Sequence, residues 1–158
     1  MIDAEDAVRL GLLDQAVGYL LRRAQLAVFE DFARRFAALN LSPAQFSALV
    51  AIQENPARRQ SDIAAALGVQ RPNFVALMDE LERRGLAERL RSGADRRANA
   101  LQLTPAGVAL LERAQAAQAA QEAAIRELIG EPERLRLVET LERLSQIQSQ
   151  QGRKEHEP

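Results

Sequence analysis

Apolar positions recur every three to four residues along most of this chain, and the breaks in that rhythm mark its elements. From about Asp6 to Leu39, Leu13, Val17, Leu20, Leu21, Ala24, Val28, Phe32 and Phe36 form one stripe, with Arg22, Arg23, Glu30, Asp31, Arg34 and Arg35 elsewhere. The pattern predicts one long helix, bent near Gly18. Its apolar face is longer than one small domain can cover, so its outer half calls for a second subunit. Ser42-Pro43-Ala44-Gln45 reads as a helix start, with Ser at the cap, Pro in the first turn and Gln placed to reach back. Phe46, Leu49, Val50 and Ile52 carry this helix to about Gln53, and Asn55-Pro56 stops it.

The rhythm then shortens. Between Arg59 and Thr104, Ala64 is the small residue where two helices can cross closely, and Gly68 supplies the left-handed residue that ends the first of them. Phe74, Leu77, Met78 and Leu81 return at helical spacing and predict a second helix from Arg71 to about Arg84 with one buried face. This is a helix-turn-helix pattern. Leu86 to Leu90 and Ala98 to Leu103 alternate around Ser92-Gly93-Ala94-Asp95, which reads as a hairpin and makes the motif winged.

Thr104-Pro105 repeats the cap-plus-Pro signature and opens an Ala- and Gln-rich helix to about Ile129. Gly130-Glu131-Pro132 breaks it, and a last helix from about Glu133 to Gln150 carries Leu135, Val138, Leu141, Leu144 and Ile147 on one face. The expected fold is mainly α: a winged helix-turn-helix over residues 41–103, and a helical dimerisation region from residues 1–40 and 104–151. Residues 152–158 are expected to be a disordered tail.

Composition narrows the chemistry. At 158 residues and a formal net charge of -1, the chain has one domain's length and no global basic excess. Its cations concentrate locally: Arg58, Arg59, Arg71, Arg83, Arg84, Arg89, Arg91, Arg96 and Arg97 outnumber the acids between them. There is no Cys, which removes disulfides, thiolate metal sites and thiol-based sensing. The single His, His156, is near the end, where it reads as a solvated tail residue rather than a metal ligand. No apolar run approaches the roughly 20 residues of a membrane span, and the N-terminus carries acids where a signal peptide carries bases, so a cytoplasmic protein is expected. No nucleophile–base pair and no phosphate-cradling Gly loop is present, so neither enzyme nor cofactor is expected. The run Asp79-Glu80-Leu81-Glu82-Arg83-Arg84 reads as a solvated face with i to i+4 pairs, Asp79 with Arg83 and Glu80 with Arg84.

The stretch ERRGLAERLRSGADRRANALQLTPAG resembles the wing of the multiple antibiotic resistance regulator (MarR) family, with Asp95 and Arg97 two apart, then Leu103, Thr104 and Gly107. The likeness runs from about Leu41 to Leu111. It implies a homodimeric transcriptional regulator that binds double-stranded DNA, most simply a repressor on a pseudo-palindromic operator released by a small effector. By resemblance, Arg97 enters the minor groove, Arg96 stands beside it and Asp95 orients the tip. On the second helix, Arg71 can bond guanine and Asn73 adenine, and Val75 and Ala76 can meet thymine methyls; the bland alternative is contact with phosphate or water only. Arg59, Ser61 and Gln70 complete the candidate DNA set. Arg58 and Arg59 stand where the family carries an apolar residue and a Ser or Thr cap, which leaves the start of that helix open. Family members commonly bind aromatic acids, or sometimes acyl thioesters, between the dimer helices and the winged region. Tyr19, Arg22 and Arg23, with Phe46 close by, are the candidates for that wall, against the alternative of a core Tyr and surface Arg pairs. Two rival readings remain: an architectural nucleoid protein without inducer, and a winged-helix protein-interaction module.

Overall fold

The computed structural model describes residues 8–90 and 100–147. Its elements are α1 (Val17–Phe36), α2 (Pro43–Glu54), α3 (Gln60–Ala66), α4 (Arg71–Arg83), β1 (Ala87–Leu90), β2 (Ala100–Leu103), α5 (Pro105–Ile129) and α6 (Glu131–Ser145). The chain divides into two units, Met1–Ala117 and Gln118–Pro158. The wing residues Asp95, Arg96 and Arg97 and the expected tail at 152–158 lie outside the described residues.

The core of the first unit is built where the periodicity placed it. Phe36, Leu49, Ile52, Phe74, Met78, Leu81 and Leu101 are its largest fully buried side chains. Phe32 and Phe36 stack at 3.7 Å between ring centroids, and Phe46 of α2 meets Phe36 edge-on at 5.2 Å. The start of α2 is the capping box that the sequence predicts: Gln45 N–H donates to Ser42 Oγ at 3.2 Å, and Ser42 N–H donates to Gln45 Oε1 at 3.0 Å.

The first helix is shorter than its apolar stripe suggests. Gly11–Gln15 form a separate 3-10 turn, Ala16 is extended (φ -77°, ψ 113°), and only then does α1 begin. The break therefore falls at Ala16 and not at Gly18. Val8 and Leu12, 85% and 94% exposed, have little to pack against among the described residues of the single chain, and helix without packing is marginal at this length. The chain leaves α1 through a 3-10 turn, Ala37–Leu39, closed by Asn40 in the left-handed region (φ 49°).

The helix-turn-helix closes as expected. Gly68 has φ 65°, and Val69 N–H donates to Ala64 C=O at 2.9 Å across it. This is a left-handed termination that a side chain with Cβ adopts only at a cost. Strands β1 and β2 pair antiparallel with Ala87 opposite Leu103 and Leu90 opposite Ala100. A third segment joins them: Ala57 N–H donates to Leu101 C=O at 3.1 Å, and Leu101 N–H donates to Arg58 C=O at 2.9 Å. Arg58 and Arg59 thus lie along the edge of the hairpin, and α3 starts at Gln60 with Arg59 as its N-cap residue.

The base of the hairpin is locked to the start of α5. Thr104 Oγ1 donates to Gly85 C=O at 2.6 Å and accepts from Gly107 N–H at 3.1 Å, while Thr104 N–H donates to Leu86 C=O at 3.1 Å. A Cβ on Gly107 would lie 1.9 Å from the Leu86 carbonyl oxygen, so a side chain here fits only if backbone moves.

In the second unit, α6 starts at Glu131, two residues before the position expected, because Pro132 is accommodated in its first turn after Gly130 (φ 80°). Helix α6 runs to Ser145, and the expected end at Gln150 lies outside the described residues. Arg134 bonds Glu131 at 2.9 Å and Glu122 at 3.4 Å, and Arg126 bonds Glu131 at 2.7 Å. The Glu131 carboxyl is held below the ordinary carboxylate value, first by its hydrogen bond from Arg134. Among the described residues no helix is long and apolar enough to cross a membrane.

Candidate nucleic-acid interface

Helix α4 is oriented by burial. Phe74, Met78 and Leu81 have no exposed surface, and each such side chain contributes about 1.5–3 kcal/mol when fully buried. Any rotation of α4 about its axis would expose one of them, so its opposite face is fixed outward. That face carries Arg71, Asn73, Val75 and Ala76, all exposed, with Val75 at 43%. Leu77 is half-buried at the margin. An Arg, an Asn and two small apolar groups displayed on a protruding helix can bond purine edges and touch thymine methyls.

The neighbouring candidates fall around this face unequally. Gln70, the N-cap residue of α4, is exposed and makes no side-chain capping bond. Arg59 is exposed on the hairpin edge. Ser61 is half-buried on α3, and its hydroxyl donates to Asp62 at 3.2 Å.

The acidic run on α4 pairs differently from the local expectation. Arg83 bonds Glu80 at 2.6 Å. Arg84 turns away from the helix surface to donate to the carbonyls of Asn40 (2.8 Å) and Leu39 (3.4 Å), the chain's exit from α1. Asp79 and Glu82 take their cation from the wing: Arg89 of β1 lies 2.8 Å from Asp79 and also bonds Glu82. The i to i+4 pairs Asp79–Arg83 and Glu80–Arg84 are therefore replaced: Arg83 keeps a local partner one position nearer, while Arg84 and Asp79 take tertiary ones. Arg89 is also no free cation for phosphate, although its charge counted toward the local basic excess.

Arg89 and Gln60 were absent from the residues singled out by motif. A signal did exist. Strand alternation puts Arg89 on the same side of β1 as Ala87, which is buried, and opposite to Glu88, which is exposed and accepts a bond from Gln102 across the hairpin.

The ligand-wall candidates do not form one group within the chain. Tyr19 is half-buried near the start of α1, and Arg22 and Arg23 are exposed one turn on. Phe46 packs with Phe32 and Phe36 near the other end of that helix. Thirteen residues of helix separate Tyr19 from Phe32, roughly 20 Å of axial rise. Phe46 is half-buried and packs against the core, leaving part of its ring open.

A buried-faced reading helix, set behind a tight turn and flanked by a hairpin, defines a winged helix-turn-helix protein of the DNA-reading kind. Residues 39–98 match the model of the MarR family. A Thauera aromatica protein named for a regulatory role at the hcr operon is 35% identical over 135 residues, spanning 85% of this chain and 81% of its own length. Among solved structures, the transcriptional repressor CouR bound to p-coumaroyl-CoA is 43% identical, with a TM-score of 0.83 over 89% of this chain and 99% of that one. CouR bound to a 23-mer DNA duplex is 46% identical, with a TM-score of 0.83 over 88% and 99%. This chain belongs to the MarR family.

Proposed function

We propose that the protein is a homodimeric repressor of transcription that binds a pseudo-palindromic operator and is released by an aromatic acyl-CoA thioester. The observation that carries the DNA reading is the α4 face itself: Arg71, Asn73, Val75 and Ala76 point outward because Phe74, Met78 and Leu81 cannot. The likeness to a repressor solved on a DNA duplex supports it. Arg97 in the minor groove, with Asp95 orienting it and Arg96 beside it, extends the same reading on the family motif.

Dimerisation is supported by apolar side chains left uncovered in the single chain. Leu20, Leu21, Leu26 and Phe29 of α1 are 43–55% exposed, and Leu135, Leu137, Val138 and Leu141 of α6 are 38–55% exposed. Faces of this kind cost free energy in water and gain it against a second copy. A two-fold dimer then presents its reading helices about 34–36 Å apart, one turn of DNA.

The effector class is supported by the repressor solved with p-coumaroyl-CoA. Tyr19 and either Arg22 or Arg23 would hold the aromatic and anionic parts of such a ligand. The effector acts by preferring a dimer whose helix spacing does not fit the operator.

The test is a titration of the protein on duplexes selected from a random library, with and without p-coumaroyl-CoA. Expected are salt-dependent binding to one symmetric sequence, and release by the thioester with reciprocal weakening of thioester binding by the duplex. Absence of any salt-dependent duplex binding refutes the regulator. Binding unaffected by p-coumaroyl-CoA and by free aromatic acids refutes the effector class and leaves the DNA reading standing. Replacing the true anchor, Arg22 or Arg23, by Ala should raise the thioester concentration needed for release at unchanged operator affinity.

A further inference from the structure

One guanidinium ties together the three elements around the reading face. Arg89 of β1 donates through Nε to Gln60 Oε1 of α3 at 2.8 Å. Its Nη1 meets Asp79 at 2.8 Å and also bonds Glu82, both on α4. Its Nη2 reaches the backbone carbonyl of Val75 at 3.3 Å, and its own N–H donates to Glu82 Oε1 at 2.9 Å. Val75 is a residue of the reading face, Gln60 opens the preceding helix, and β1 is the strand that leads into the wing.

The surroundings decide what Arg89 does. Its side chain is 21% exposed, and two carboxylates within bonding distance neutralise it, so it offers DNA no net charge. The planar five-donor fork of Arg can serve acceptors on several sides at once, which the single point of a Lys ammonium cannot. Glu82 is bound twice, by the side chain and by the backbone of the same residue, which fixes the position of β1 along α4 as well as its distance.

We infer that Arg89 is a positioning residue for DNA recognition: it sets the register of the wing strand against α3 and α4, so that the reading helix and the wing meet the duplex together. The inference rests on the proposed DNA-binding function and adds to it a residue that touches no DNA.

The two variants Arg89→Ala and Glu82→Ala separate positioning from electrostatics. If charge alone mattered, removing the Glu82 carboxylate beside DNA would tighten binding, and removing Arg89 would lower the salt slope by about 0.9 as a phosphate contact is lost. Positioning gives the opposite pattern. Both variants should weaken binding to the selected duplex, on the order of tenfold. Both should keep the wild-type salt slope, and the double variant should be no worse than the poorer single one. Arg89→Lys, which keeps the charge, should fail to restore affinity. Asp79 is 61% exposed and Glu82 32%, so both carboxylates can return to water and the variants should fold, checked by circular dichroism and melting. Wild-type affinity in Arg89→Ala, full rescue by Arg89→Lys, a reduced salt slope, or tighter binding by Glu82→Ala would each overturn the inference. If an Arg89 variant does not fold, Glu82→Ala alone decides by the sign of its effect. Wild-type protein that binds no duplex would instead overturn the function on which the inference rests.

Discussion

Gly107→Ala should be among the most damaging single-atom additions available in this protein, for a reason unrelated to backbone conformation. Gly107 lies within α5, where Ala is favoured over Gly by about 1 kcal/mol. The added methyl, however, would sit 1.9 Å from the Leu86 carbonyl oxygen, 2.9 Å from its carbon and 3.3 Å from its Cα. A carbon–oxygen contact needs roughly 3.3 Å, so the start of α5 must move about 1.4 Å from the hairpin base. All three atoms are backbone, so no rotamer change relieves the clash. The movement strains the bonds from Thr104 to Leu86 (3.1 Å) and Gly85 (2.6 Å), each contributing about 1 kcal/mol. Overpacking adds about 1–3 kcal/mol. Set against the gain in helix propensity, the net loss is about 2–4 kcal/mol. Urea denaturation with a fitted slope measures it, and Gly18→Ala is the internal control. Gly18 is also helical, but a Cβ there meets nothing within 4 Å, so Ala should stabilise by up to about 1 kcal/mol. A Gly107→Ala protein that unfolds at or above the wild-type midpoint would refute the close approach. A variant that is unstable yet binds its duplex like wild type would show that the hairpin base is not coupled to the reading face.

Leu141→Asp places a charge on an apolar α6 face and should yield monomers that no longer hold the duplex; sedimentation of a folded, duplex-binding monomer would contradict the dimer. Asn73→Ala should relax preference at one symmetric pair of operator positions if Asn73 bonds a base, and should weaken all sequences alike if it touches phosphate, which repeated selection from random duplexes resolves. Glu131 should make the α5–α6 corner acid-sensitive. Its folded value is depressed, so its stabilising contribution is present above the ordinary value of 4.5 and lost as pH falls through the lower folded value. Hydrogen exchange at that corner should rise on acidification in wild type, and Arg134→Gln should flatten that rise, since Arg134 is the first cause of the depression.

Much of the fold could be read from the chain because its signals are local. Ser42, Pro43 and Gln45 stand within one turn of the backbone groups they satisfy, so the start of α2 was legible from four letters. The outward face of α4 followed from the spacing of Phe74, Met78 and Leu81, since burial of one side of a helix determines the other. Gly68 announced its turn, and Thr104 with Gly107 announced the start of α5, although only the tertiary structure shows that Gly107 is required by the Leu86 carbonyl and not by the helix.

Other features depend on residues far apart in sequence. Arg89 and Gln60 are 29 positions apart, and Arg84 and Asn40 are 44 apart; nothing in the spacing of either pair foretells the bond. Local pairing rules instead favoured Asp79–Arg83 and Glu80–Arg84, because they see only the helix on which those acids stand. The same limit applies to α1, whose apolar stripe continues past Ala16 while the helix does not. Periodicity records which side chains seek burial, and only the folded chain decides whether there is a surface to receive them. Phe46 illustrates the converse, since any apolar wall suits it by composition, and only the tertiary structure shows its half-buried ring against Phe32 and Phe36.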